Sequence, residues 1–263
     1  MLKIEVDRLT LNYGRNTVIR DISFTLEPGC MLGMVGPNGC GKSTVIKAIS
    51  RVKAPDSGSI VFNGRDVSKI SHMDLARLVG VVPQIPLLPS TFTAFEVVLM
   101  GRNPHLGLFQ SEGPADMEIA RVAMESTRTS HLASRRIGEL SGGEIQSVVI
   151  ARVLAQRTEA ILLDEPTSNL DVGRQIEVLD LVKDLCRKQG LTVGVALHDL
   201  NLAVQYCDKL ILLHDGSIRA EGTPAQVVTQ ANVSAVYGAG SHVYNIDGAP
   251  AILPRAGGRL YPL

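Results

Sequence analysis

The chain has 263 residues, 45% of them hydrophobic, with 26 Lys+Arg set against 26 Asp+Glu. That length and apolar share fit one large α/β domain, or a domain with a small appendage, and exclude wholesale disorder. The balanced charge lacks the overall basic excess of a nucleic-acid binder, so no nucleic-acid partner is expected. Cys30, Cys40, Cys186 and Cys207 show no CxxC spacing and no histidine cluster, which argues against a zinc site or disulfide framework.

In chain order, the first 14 residues alternate apolar and polar side chains, predicting a strand and no signal peptide. Residues 31–35 read as an apolar strand, 36–41 as a glycine-rich turn and 42–51 as a helix. A strand over 59–63 ends at the Asn63-Gly64 turn signal, and a short buried strand follows at 79–82. Between Gln84 and Arg136 the character changes. A proline-rich stretch, Ile85 to Ser90, precedes helical patterns at 95–100 and 116–127, so a mostly helical insertion is expected at about residues 85–157. Short buried strands are expected at 160–163, 192–197 and 210–213, the last before an Asp215-Gly216 turn. A helix over 172–186 places Val172, Ile176, Leu179, Val182 and Cys186 on one face. From Ala239 the tail is short, with a hairpin expected around Asp247-Gly248. Strands alternating with helices predict the α/β class, divided into a main domain over 1–238 and a C-terminal extension over 239–263. No apolar run approaches the ~18 to 20 residues of a membrane-spanning helix, so work at a membrane would be done from its cytosolic side with a partner.

Two stretches carry chemistry. Gly36-Pro37-Asn38-Gly39-Cys40-Gly41-Lys42-Ser43-Thr44 matches GxxxxGK[ST], after an apolar strand and before a helix. The glycines let the backbone curl so that its N–H groups face phosphate oxygens, and the helix start adds its positive dipole end. Lys42 is expected to reach the β- and γ-phosphates, and Ser43 to supply a hydroxyl to Mg²⁺. A chance glycine turn is the alternative, disfavoured by the strand–turn–helix order. Cys40 reads as a small loop residue, with a regulatory thiol as the other reading. Downstream, Ile161-Leu162-Leu163-Asp164-Glu165 is an apolar strand ending in two acids. Paired carboxylates there call for a positive partner, because desolvating charge is costly. Beside a phosphate loop that partner is a Mg²⁺–nucleotide complex. Asp164 is expected to hold Mg²⁺, directly or through water, and Glu165 to polarise the attacking water as general base. A helix cap or exposed loop acids are the alternative.

Leu140-Ser141-Gly142-Gly143-Glu144 narrows the field, because it resembles the LSGGQ signature of ABC ATPases. The resemblance implies a P-loop NTPase core of the ABC ATPase type that uses ATP and Mg²⁺. In that family the signature contacts the γ-phosphate of ATP held by the other subunit. Ser141, Gly142 and Gly143 would then bind nucleotide in trans, with a second copy of the chain as partner in an ATP-bridged head-to-tail dimer. Tyr13, in Leu11-Asn12-Tyr13-Gly14, resembles the aromatic residue that stacks on adenine. Gln84, in Val82-Pro83-Gln84, resembles the Q-loop glutamine that senses Mg²⁺ and the attacking water. Ser168-Asn169-Leu170-Asp171 resembles the D-loop that crosses the dimer interface, and His198 the switch histidine that hydrogen-bonds the γ-phosphate. Alone, His198 would read as a surface or core histidine. The resemblance covers about residues 3–230. Glu144 departs from it by replacing glutamine, as does Gln146-Ser147 where Gln-Arg is frequent. Since Ser141 and the glycine N–H groups make the phosphate contacts, activity is expected to survive, with Glu144 weakening trans binding of the phosphate.

Gly101-Arg102-Asn103-Pro104-His105 resembles the GRxPH stretch of ABC ATPases that serve importers of ferric siderophores, haem and cobalamin, and the tail over 248–254 is similar to theirs. This implies a peripheral subunit on the cytoplasmic face of the cell membrane. It would pair with an integral membrane permease in two copies, and indirectly with a substrate-binding protein. Ile85 to Ser90 are expected to line a groove for a short permease helix, with Arg102 and His105 nearby. The alternative is that Leu87 and Leu88 fold back into the helical insertion. Other readings of the whole are an ATPase of a metal-ion importer or small exporter. An ABC ATPase acting on DNA or ribosomes would usually carry a coiled-coil insertion or a second cassette, and neither is in the sequence.

Overall fold

In a computed structural model that describes residues 1–107, 109–168, 170–238 and 240–254, β1 (Ile4–Tyr13) and β2 (Asn16–Leu26) pair antiparallel, with Ile4 opposite Leu26 and Tyr13 opposite Asn16. Their alternation turns Ile4, Val6, Leu11, Ile22 and Phe24 inward. β3 (Met31–Val35) is buried throughout and runs into the phosphate loop and α1 (Lys42–Ile49). The helix stops earlier than the sequence pattern predicts, because Arg51 takes a left-handed conformation at φ 57°. β4 (Ser57–Phe62) pairs with β1 and turns through Asn63-Gly64, both at positive φ, into β5 (Arg65–Asp66). These strands make one sheet in the order β2-β1-β4-β5.

α2 (His72–Leu78), capped by Ser71, leads into β6 (Val79–Val82). The chain then leaves the sheet for α3 (Ala94–Leu99), α4 (Pro114–Ser126) and α5 (Gly142–Ala155). These helices enclose a core of their own around Val97, Val98, Ala120, Met124, Ile137 and Val148. Arg102 and His105, expected near the groove of residues 85–90, bond within the helical region. The Arg102 guanidinium is buried, giving Nε–H to Asp116 Oδ1 at 2.9 Å and Nη1–H to the Ala155 carbonyl at 2.7 Å. His105 Nε2 lies 2.7 Å from the Gln156 carbonyl oxygen. A buried cation needs a countercharge and hydrogen-bond acceptors, and Asp116 and the Ala155 carbonyl supply them, tying the start of α4 to the end of α5.

β7 (Ala160–Asp164), α6 (Val172–Gln189), β8 (Thr192–Ala196), α7 (Leu200–Tyr206), β9 (Lys209–His214) and β10 (Ser217–Gly222) complete the second sheet, ordered β10-β9-β3-β8-β7-β6. All its pairings are parallel except β9 with β10. Alternate strand residues serve two cores: Leu32, Met34 and Leu162 face the β1–β2 side, while Met31, Val35, Ile161 and Leu163 face α6. The stripe of α6 differs from the sequence expectation. Val178, Leu179, Val182, Leu185 and Cys186 are buried, but Val172 and Ile176 are 70% and 39% exposed. No residue of 172–177 is buried, so the first two turns have no layer to pack on.

α8 (Pro224–Val227), α9 (Gln230–Tyr237) and the hairpin of β11 (Ser241–Ile246) with β12 (Ala249–Pro254) follow. Two carboxamides hold the hairpin in place. Asn201 exchanges hydrogen bonds with the Ile252 backbone at 3.1 and 2.8 Å, and Gln230 bonds Ser241 O at 3.0 Å and Val243 N at 2.9 Å. No described helix is long and apolar enough to cross a membrane.

Candidate active site

The phosphate loop is shaped by close backbone approach. A Cβ on Gly36 would lie 2.2 Å from the Leu213 carbonyl oxygen, and one on Gly41, at φ 107°, would lie 2.4 Å from Ile19 Cδ1. Only glycine fits either position. Gly41 caps α1 without a side-chain hydrogen bond, so the first amides of the helix remain donors for an anion. The buried Lys42 side chain gives its Nζ protons to the carbonyl oxygens of Gly36, at 2.8 Å, and Pro37, at 3.1 Å. That fixes the ammonium within the loop. Lys42 Nζ is also 3.9 Å from the Cys40 sulfur. Burial is the main force on the Cys40 thiol and pushes it up, against the reactive-thiol reading.

Across the sheet edge, the Ser43 hydroxyl donates to Asp164 Oδ1 at 2.7 Å. Burial raises the Asp164 carboxyl above its ordinary range, with the Ser43 bond opposing and the Glu165 charge adding. A carboxylate penalised by desolvation gains most from a nearby cation. Glu165 follows in a left-handed conformation, φ 50°, with its N–H donated to the Ala196 carbonyl at 3.1 Å. For a bulky L-residue this is a strained position of the kind found at functional sites. It leaves the side chain at the carboxyl end of the strands, where parallel sheets bind ligands. Gln84 Nε2 donates to Glu165 Oε2, and His198 Nε2 contacts the same oxygen. Three side chains read from separate sequence motifs, following β6, β7 and β8, thus meet at one carboxylate.

The remaining sequence-derived residues fall in two places. Tyr13 is exposed, with Lys53 Nζ 5.1 Å from its ring centroid. Ser141 caps α5 and bonds Glu144, Gly143 lies against the Arg174 side chain, and Asp171 caps α6 by accepting from Arg174 N at 3.0 Å. Signature and D-loop residues are therefore neighbours at the starts of α5 and α6. Asn169 lies outside the described residues. Sequence reasoning missed Tyr237. Its side chain is half-buried, with the hydroxyl enclosed near Cys40 and Gly36 and without a hydrogen-bond partner, and burial pushes the phenol up. It lies some 200 positions from the loop it approaches, and no local pattern marks it.

A phosphate loop and a strand-end carboxylate at one edge of a parallel sheet define a P-loop nucleoside triphosphatase. The ABC transporter family profile matches residues 19–168. The ferric enterobactin transport ATP-binding protein of Escherichia coli (strain K12) is 37% identical over 254 residues, covering 96% of this chain and 94% of that protein. The hemin import ATP-binding protein of Bordetella avium (strain 197N) is 42% identical over 245 residues, covering 90% of this chain and 92% of its own. Among solved structures, the dimeric structure of a bacterial ABC transporter cassette matches with a TM-score of 0.75 at 27% identity, over 84% of this chain and 98% of that one. The chain belongs to the ABC transporter family, and it is an ATP-binding subunit whose ATP hydrolysis is coupled to transport.

Lys42→Ala removes a charged donor from the loop. Charge-assisted hydrogen bonds contribute roughly 1.5 to 3 kcal/mol, so ATP affinity measured by calorimetry is expected to fall about ten- to a hundredfold. Unchanged affinity would place nucleotide elsewhere.

Proposed function

We propose that this chain energises an importer of a ferric siderophore, haem or cobalamin. It works at the cytoplasmic face of the membrane, as one of two copies that share ATP head to tail beneath an integral membrane permease. The meeting of Gln84 and His198 on Glu165 carries the hydrolytic half of this reading. The cargo class is supported by the Gly101-to-His105 stretch and by relatives named for ferric enterobactin transport and hemin import.

The loop amides and Lys42 bind the β- and γ-phosphates, while Tyr13 offers its exposed ring to adenine. Ser43 and Asp164, which already meet, would hold Mg²⁺ together with the side-chain carbonyl oxygen of Gln84, an all-oxygen donor set that suits the ion. When bound, the ion neutralises charge building on the phosphate oxygens. Glu165 takes a proton from the water that attacks the γ-phosphorus as the bond to ADP breaks. Gln84 and His198 hold the Glu165 carboxylate by Oε2, and His198 would bond the γ-phosphate once nucleotide is bound. Ser141, Gly142 and Gly143 close the site from the second copy, with Asp171 in the loop crossing between them.

Coupling to the permease is assigned to the segment after Gln84. Ile85 is 71% exposed and Leu87 94% exposed, whereas Leu88 packs on both the α6 core and the helical core. The informative substitution is therefore Leu87→Glu, since a charge at Leu88 would disturb the fold itself. Leu87→Glu is expected to leave ATP hydrolysis by the isolated protein unchanged. It should lower permease pull-down and chelate uptake in reconstituted vesicles by about tenfold, as for a charge placed in an interface core. Wild-type binding and uptake would remove the segment from coupling. A wild-type protein that pairs only with a permease for other cargo would remove the chelate reading and leave the ATPase reading intact.

A further inference from the structure

Both donors of Ser141 point at one carboxylate oxygen. Its N–H donates to Glu144 Oε2 at 2.7 Å and its hydroxyl donates to the same oxygen at 2.8 Å, while Glu144 N–H returns a bond to Ser141 Oγ at 3.4 Å. The Ser141 backbone bond, then its hydroxyl bond, hold the Glu144 carboxyl below its usual range, so it is ionised at neutral pH. The other carboxylate oxygen lies 3.5 Å from Arg135 Nη1. A full negative charge thus already sits at the N-terminus of α5, on the donors an incoming phosphate would use.

We propose that Glu144 is a built-in competitor of the partner's ATP, holding the N–H and O–H of Ser141 until the γ-phosphate bound by the second copy displaces it. This rests on the shared-nucleotide reading above. The Ser141 hydroxyl has one proton, and while that proton points at Glu144 only lone pairs face an arriving anion. A carboxylate holds such donors roughly twice as strongly as a neutral carboxamide does. Arg135 offsets part of the repulsion that Glu144 adds. The residue at this position therefore sets how tightly two copies close on ATP, without contacting the reacting atoms.

The test is Glu144→Gln placed in a Glu165→Gln background, so that ATP persists. Glutamine also closes a capping box through its carboxamide oxygen, so the helix start is kept and only the charge is removed. In ATP and Mg²⁺, the dissociation constant of the dimer by analytical ultracentrifugation is expected to fall about fivefold to tenfold, with the difference shrinking at high salt. Arg135→Gln should weaken pairing of the Glu165→Gln protein and have little effect once Glu144→Gln is present. Unchanged or weaker pairing on Glu144→Gln overturns the competitor role. If the Glu165→Gln protein does not pair with ATP at any concentration, the shared-nucleotide reading falls and this inference falls with it.

Discussion

Glu165→Gln is expected to retain ATP and lose hydrolysis by about 10²-fold or more, the effect of removing a positioned base. The amide keeps the shape and volume of the carboxylate. Gln84 Nε2 and His198 Nε2 both address Oε2, and a carboxamide oxygen accepts from the same donors, so the site survives while the proton acceptor is lost. The backbone at this position is already held in its left-handed conformation, φ 50°, by the strand end and the bond to Ala196, and the substitution does not alter it. With hydrolysis stopped, ATP and Mg²⁺ should trap two copies together, visible as a shift in gel filtration that ADP does not produce. Turnover at the wild-type rate would take Glu165 out of the chemistry and leave its strained backbone without a functional account.

The elements that position this site were legible because their chemistry is local. Nine consecutive residues make the phosphate loop, and five make the strand that ends in acids, so neither depends on a distant partner. Gln84 and His198 were reached only by resemblance. Each is a single polar residue after a buried strand, and nothing nearby in sequence indicates that both meet Glu165. The burial of Arg102 was not legible for a related reason. Its partners, Asp116 and Ala155, lie 14 and 53 positions away, and no local pattern indicates that they meet it. Leu88 illustrates the limit of periodicity in a proline-rich stretch. Without a repeating backbone geometry, the sequence did not settle which of two adjacent leucines turns inward. In α6 the period was right but its first two turns extend beyond their packing layer, so Val172 and Ile176 continue the stripe without being covered.

Those uncovered turns adjoin the signature helix, and that placement sets the second large expectation. Ser141→Arg should abolish ATP hydrolysis while leaving each monomer able to bind ATP, because the residue lies in the α5 cap and makes none of the contacts that hold Lys42, Ser43, Asp164 or Glu165. Loss of the serine cap costs about 1 kcal/mol, within what a domain of this size tolerates, so a cooperative melt is expected to remain. The effect on turnover instead reflects the bulk and charge placed where a partner's phosphate must approach. Mixing with Lys42→Ala separates the two explanations. A heterodimer of the two variants has one composite site with both defects and one with neither. Random exchange should therefore restore about a quarter of the wild-type sites in the mixture, assayed at ATP concentrations too low to fill the Lys42→Ala loop. Recovery on mixing establishes that loop and signature act from different chains. No recovery, with both variants folded and pairing shown by crosslinking, would mean that one intact site cannot turn over alone. Full hydrolysis by Ser141→Arg by itself would remove the signature from the site, and with it the reason for two copies to close on nucleotide.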